Sequence, residues 1–325
     1  MIAAGWGLKD KLVGNADIWL CHNCGDCTTL CPRGAKPGDV LAAVRAYTVA
    51  EYATPRAIAK MVPDPKKLPI LLGIPAVIFI IAAVLTKVIF GEAGDGIWQS
   101  HFIHNYIVDI IMIPTFFGAA GVFALGLKNF LADIHANALL EGKTDKEKIE
   151  PAGMVQALIR VVKTVLAHSK FNECGDNRDR ATAHMMVLYS FIGLFIVTNC
   201  FFFAEWVLHI DGPYRQINPV KWLGNASGVA LVIGSLLLIK NRLGKEDQIT
   251  SYWDWQLLAL VCGLGITGMG TEMARLAGMA NLTYAIYFLH LVLIWCLFAY
   301  TPFSKLAHLV YRTVAMVYME YAGRK

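Results

Sequence analysis

Charge is what this sequence has least of. Only 16% of its 325 residues are Asp, Glu, Lys or Arg, where a soluble globular chain carries about a quarter. Hydrophobic residues make up 56% and the mean hydropathy is +0.50. That balance excludes an ordinary soluble enzyme and predicts a membrane protein. A secretory signal is missing too: the first 60 residues hold no long apolar stretch, so the N-terminus is expected to stay in the cytoplasm. There is no internal repeat and no low-complexity segment. The net charge of +5 is modest and unevenly spread, so it reports topology rather than nucleic-acid binding. A disulfide framework is also excluded, because four of the eight cysteines crowd into eleven residues and the others are scattered.

What is present is a series of long apolar segments. The stretches 70–90, 106–127, 185–208, 222–239, 255–273 and 282–300 are each long enough, at about 1.5 Å per residue, to cross roughly 30 Å of hydrocarbon. The fifth carries four glycines (Gly263, Gly265, Gly268, Gly270), which lower helix propensity but let a neighbouring helix or a cofactor come close in a membrane. Lys and Arg fix the orientation. Residues 1–68 hold nine, 128–183 nine, the loop after span four three, and the C-terminal tail four. The alternate loops hold none, two (Arg215, Lys221) and one (Arg275). Both termini and the 128–183 loop are therefore expected on the cytoplasmic side. Within that loop, 154–168 alternates apolar and basic positions at helical spacing. It reads as an interfacial helix in contact with membrane lipid, or else as a helix for a soluble partner.

The cysteines Cys21-x2-Cys24-x2-Cys27-x3-Cys31, with Pro32 next, have the spacing of a bacterial-type four-iron ferredoxin motif. Two-residue gaps let one turn of backbone wrap three thiolates around a 4Fe-4S cube, and the proline turns the chain away afterwards. Zinc would use separated C-x2-C pairs. Cys174 reads as a loop thiol, or as a missing cluster ligand.

Of the nine histidines, His22 reads as a surface residue between cysteines, and His135 and His168 as loop residues with no evident partner. His290 and His308 differ. On one straight helix they share a face about 27 Å apart, near opposite membrane surfaces, with Pro302 between them as a candidate bend. An ionisable side chain at membrane depth is read as functional, and imidazole is the usual axial haem ligand. His184 opens the third span at the expected level of His308, so this pair is assigned to an inner haem; a helix-start His facing headgroups is the alternative. His290 is assigned to an outer haem with His104, ahead of His209 and His101. Asp109 and Glu205 are further intramembrane carboxylates, for quinol protons or merely facing water. Glu272 and Arg275 form a candidate polar site for a quinone head group, or a structural ion pair.

Three resemblances sharpen this reading. The segment 8–40 resembles the second half of the ferredoxin domain in the HdrC-type iron–sulfur subunits of heterodisulfide reductase, where a first cysteine motif lies some tens of residues upstream. That resemblance implies that Met1 is an internal position of such a domain and that Cys31 serves a cluster whose other ligands are absent here. One cluster on all four local cysteines is the alternative. Phe288-Leu-His290 followed by Pro302-Phe-Ser-Lys305-Leu-Ala-His308 resembles the last span of the respiratory nitrate reductase gamma subunit, whose two histidines bind haem. Position 194, where that pattern would put another His, is Leu. A ferredoxin module followed by a gamma-like bundle resembles the QmoC family, the membrane subunits of the quinone-interacting membrane-bound oxidoreductase complex.

The expected fold is mainly α: a partial ferredoxin-like iron–sulfur module (1–60), a linker (61–69) and a six-helix transmembrane haem b domain (70–325) carrying the cytoplasmic loop 128–183. The last resemblance implies one or two haems b and menaquinone as substrate. It also implies soluble flavin and iron–sulfur partner subunits, and adenylylsulfate reductase as the electron partner. The competing readings are a membrane subunit of a heterodisulfide reductase or a sulfite-reductase-linked complex, a haem-free anchor for a ferredoxin, and a transporter with a zinc-binding head.

Overall fold

The computed structural model describes residues 2–21, 25–90, 96–167, 180–210, 212, 214–244 and 251–323. Among them the secondary structure is helical, with no strand. Four short helices, α1 (Ile2–Gly5), α2 (Lys9–Val13), α3 (Asp17–Leu20) and α4 (Asp26–Thr29), lead into α5 (Pro37–Tyr52) and α6 (Arg56–Met61). Helices α7 (Leu68–Phe90) and α8 (Asn105–Leu140) follow, then α9 (Pro151–Ala167), α10 (Arg180–Trp206), α11 (Pro219–Leu243), α12 (Tyr252–Leu276), α13 (Ala280–Tyr300) and α14 (His308–Tyr321). Six of these, α7, α8 and α10–α13, are long and apolar enough to cross a membrane. The chain is a multi-pass membrane protein.

Helices α10, α11, α12 and α13 pack each against the next, and α7 and α8 flank α13. The glycines of α12 explain how it packs. A Cβ at Gly263 or Gly268 would press on Leu293 or His290 of α13, and one at Gly265 would press on Val232 of α11. Their low helix propensity is offset by close approach on two sides.

Helix α8 does not stop at the membrane surface. Its 36 residues make about 54 Å of helix, so residues 128–140, expected as loop, continue the rod. Phe130, Ile134 and Ala138 recur four residues apart and are buried, which gives this extension its own apolar face after the hydropathy has fallen. That face meets the N-terminal module. Trp19, Tyr52, Phe130, Ile134, Tyr311 and Tyr318 share one core, Tyr52 Oη donates to Asp133 Oδ2 at 2.7 Å, and Asn137 Nδ2 donates to the carbonyls of Asp10 and Gly14 at 3.1 and 2.8 Å. Helix α9 packs Ala157 and Val161 toward α14 while Val155, Ile159, Val162 and Leu166 remain exposed along one stripe. His168 lies outside the described residues.

The single helix expected to carry both His290 and His308 is broken. Helix α13 ends at Tyr300, short 3-10 turns occupy Thr301–Phe303 and Lys305–Ala307, and α14 begins at His308. Pro302 has no N–H to continue the ladder, and Ser304, in extended conformation, accepts from the Leu306 N–H at 3.2 Å to restart it. The five-turn count between the two histidines therefore does not hold. His290 is ten residues from either end of α13, in the middle of that helix.

Candidate functional site

At the end of the bundle that carries the N-terminal module, the start of α14 is held by an ionic clamp. Asp254, in the first turn of α12, pairs with Arg242 of α11 at 2.9 Å and with Lys305 in the turn before α14. Ser251 and Asp254 also close a capping box. The carbonyl of the clamped Lys305 lies 2.6 Å from Nδ1 of His308. A carbonyl only accepts, so Nδ1 of His308 carries the proton and Nε2 keeps its lone pair. Burial holds this imidazole neutral, with its pKa pushed down to about 3; the Lys305 carbonyl opposes that shift, and the charges of His184, Lys305 and Arg45 add to it. His184, at the start of α10, is thus in electrostatic contact with His308, and the structure brings these two sequence candidates together.

The same logic holds at His290. Its Nδ1 lies 2.8 Å from Thr267 Oγ1, and that hydroxyl donates to the Gly263 carbonyl at 2.6 Å. The hydroxyl proton is committed, so Thr267 accepts and His290 Nδ1 donates. Both His290 and His308 are partly accessible and hold the tautomer that leaves Nε2 for a haem iron, with a fixed acceptor behind the ring. Both fit an axial ligand. His135 does not: its Nε2 faces the Glu147 carbonyl at 3.2 Å and its Nδ1 the Tyr318 hydroxyl at 3.0 Å, so both nitrogens are engaged. The sequence shows no partner for it, because the buried hydroxyl it meets lies far along the chain on α14.

His104 caps α8 at the opposite end of the bundle. Its backbone N–H faces Thr86 Oγ1 of α7 at 3.4 Å and its ring stacks on Tyr106 at 5.1 Å. His101 stacks on Trp98 at 5.5 Å, and His209 has a positive φ of 53° just beyond α10. Tyr106 meets Trp206 edge-on at 4.8 Å, and the Trp206 indole donates to Asp109 Oδ2 at 2.7 Å. Tyr287, one turn before His290, is in electrostatic contact with Asp109 and Glu205. Glu272 and Arg275 are also at this end. Glu272 pairs with Arg275 at 2.8 Å and with Lys221 at 2.9 Å, and it accepts a further bond from Gln216. The sequence suggests a pair; Lys221 in the first turn of α11 and Gln216 in the loop before it make it a network. A groove of about 620 Å³ runs along α11 past Trp222, Ala226, Val229 and Ile233, with Gln216 in its lining.

The cysteine motif is at the module end. Gly25 takes a φ of 93° just after the second motif position, and α4 starts there. Gly38 donates to Thr28 Oγ1 at 3.3 Å, tying the motif to α5. Cys21, Cys27 and Cys31 are described, whereas Cys24, His22 and Cys174 lie outside the described residues. Among the described residues no three of His, Cys, Asp and Glu stand close enough to hold a metal ion. The described thiols alone therefore do not form a cluster cage.

No family profile matches the chain, and no solved structure does. Three curated proteins are similar. Citrate utilization protein B of Escherichia coli is 24% identical over 336 residues, spanning 94% of this chain and 82% of the relative. A heterodisulfide reductase C-like protein of Archaeoglobus profundus is 40% identical over 47 residues, 14% of this chain and 25% of the relative. Respiratory nitrate reductase 1 gamma chain of Escherichia coli is 30% identical over 171 residues, 44% of this chain and 72% of the relative. Through the part so matched, the chain belongs to the family of the respiratory nitrate reductase gamma chain.

Proposed function

We propose that this chain is the membrane electron-transfer subunit of a quinone-linked oxidoreductase, with haem b in the helical bundle and a 4Fe-4S cluster assigned to Cys21, Cys24, Cys27 and Cys31 by their spacing. The observation that carries the haem reading is the shared state of His290 and His308: each gives its Nδ1 proton to a fixed acceptor and keeps Nε2 bare. Haem, when bound, supplies one-electron redox chemistry; the protein's part is to orient the ligands and exclude water. His308 with His184 is the proposed inner pair, and His290 with His104 the proposed outer one. Arg275 and Glu272, or the Asp109–Trp206 group, supply polar contacts for a quinone head at the far end. The positive-inside count puts both termini on the cytoplasmic side of the inner membrane, where soluble flavin and iron–sulfur subunits would dock.

Within this class, the order of module and bundle supports a QmoC-like member of the quinone-interacting membrane-bound oxidoreductase complex, working between menaquinol and adenylylsulfate reductase. A second reading has its own support. The citrate utilization relative spans 94% of the chain, which favours a soluble partner acting on a carboxylic acid over one of sulfur metabolism. Co-purification of the soluble partners separates the two. The class itself is tested by a reduced-minus-oxidised absorption spectrum of the purified protein, with iron and acid-labile sulfide counted. Haem b bands with sulfide are expected; a protein without haem absorption overturns the reading.

A further inference from the structure

Near the start of α12, three buried polar atoms have no hydrogen-bond partner among the described residues: Tyr252 Oη, Trp253 Nε1 and Gln256 Oε1. At about 100° per residue, Gln256 lies between the other two on the helix surface. All three side chains are partly exposed, yet these polar tips are closed to water. Asp254, on the same turn, pairs with Lys305, whose carbonyl faces Nδ1 of His308. This turn of α12 therefore adjoins the turn that presents His308. Asp64, just before α7, is the electrostatic neighbour of Tyr252. Its carboxylate accepts from the Lys66 N–H at 3.0 Å, and the residue is partly exposed.

A buried polar atom left unpaired costs about 1–3 kcal/mol, and most such atoms in folded proteins are paired. Three of them within two turns of one helix point to an absent partner. Water is not that partner, because the tips exclude it and the hydrocarbon beyond holds none. The partner must offer an acceptor to Tyr252 and Trp253, offer a donor to Gln256, and arrive through lipid. A phosphate or a carboxylate offers acceptors only and sets a negative charge beside Asp64. A quinone offers carbonyls and its quinol hydroxyls, on a flat ring that packs well against aromatic side chains.

We propose that the first turns of α12 form a second quinone site, at the module end of the bundle. Tyr252 and Trp253 donate to the quinone, and Gln256 accepts from the quinol. The inference rests on the quinone-linked reading above. It adds a site distinct from the far-end groups named there, since Glu272 and Arg275 stand at the opposite end of α12. Asp64 lies between the Tyr252 hydroxyl and the surrounding water, where a carboxylate can pass protons to and from the site.

The test is photolabelling of the purified full chain, stripped of native quinone, with an azido-substituted short-chain naphthoquinone, followed by peptide mapping. Label is expected on the peptide that holds residues 252–256, and excess unlabelled naphthoquinone should displace it. Tyr252→Phe and Gln256→Leu should each lower that label by roughly tenfold, as loss of one buried hydrogen bond does. Without quinone, both variants should be at least as stable to heat as the parent, because each removes an unpaired polar atom. A less stable variant, or one that does not accumulate, would give that atom a protein partner and overturn the proposal. Label confined to the peptides of Gln216 and Glu272 overturns it too and leaves the far-end site standing. Label on 252–256 that both variants retain overturns it equally. No label anywhere is a different outcome, which sinks the quinone reading itself and this site with it.

Discussion

The carbonyl of Lys305 lies 2.6 Å from Nδ1 of His308, and the ammonium of the same lysine is held by Asp254. One residue thus fixes both the tautomer of a candidate haem ligand and the turn that presents it. Metal-bound histidines depend on such an acceptor behind the ring for orientation and basicity.

Asp254 should accordingly matter to stability as well as to haem binding. Its side chain is only 9% exposed between Arg242 and Lys305, so Asp254→Ala removes a buried carboxylate that two poorly solvated cations share. A loss of about 3–5 kcal/mol is expected, read as a lower denaturation midpoint in detergent. Asp254→Asn should recover little of it. A variant as stable as the parent would show that water already reaches the clamp.

Thr267 is expected to tune one haem only. Thr267→Val removes the acceptor behind His290 and makes the imidazole a weaker donor, which should raise that haem's midpoint or weaken its binding by roughly 10- to 100-fold. Thr267→Ser should restore the parent behaviour. Equal titrations of the Val and Ser variants would remove Thr267 from the account.

His184→Ala and His308→Ala should lose the same haem step, and their losses should not add, because either leaves that iron short of an axial ligand. His290→Ala should spare that step and remove the other. If His184→Ala leaves both steps intact, the inner pairing is wrong. His135 is then a poor substitute, since both its ring nitrogens are engaged.

Proton handling at the far end is expected to involve Asp109, which accepts from the Trp206 indole at 2.7 Å and neighbours Tyr287. Asp109→Asn should slow haem reduction by a quinol analogue by on the order of 100-fold, while the absorption spectrum stays as it was. An unchanged rate in stopped flow would move the proton path elsewhere.

Alkaline pH should loosen the module from α8. Burial first, and then the bond to Asp133, raise the Tyr52 phenol above its ordinary range. The folded state therefore holds this proton more tightly than the unfolded state does. The resulting stability is complete below about pH 10 and falls as pH rises beyond it. Tyr52→Phe should cost about 1–3 kcal/mol by leaving Asp133 without its donor, and it should remove the alkaline sensitivity seen by limited proteolysis. Persistence of that sensitivity in the Phe variant would assign it to another group.

Much of this protein is legible from one sequence because membrane helices are specified locally. Each span must satisfy its own backbone inside the lipid, so apolar length alone identifies six helices and bounds five of them within a few residues. The ligand-type residues also stand out, since an imidazole at membrane depth is costly enough to need a reason. Other features are decided by contacts between distant segments. The extension of α8 to Leu140 depends on the module covering Phe130 and Ile134. The break after Tyr300 puts His308 at the start of a helix separate from the one that carries His290, which no count along a straight helix reveals. The acceptors that set the two tautomers, Thr267 and the Lys305 carbonyl, are an ordinary helix residue and a backbone atom. Their role follows from the Gly268 gap that admits His290 and from the Asp254 clamp that holds Lys305, and both exist only once the helices have packed.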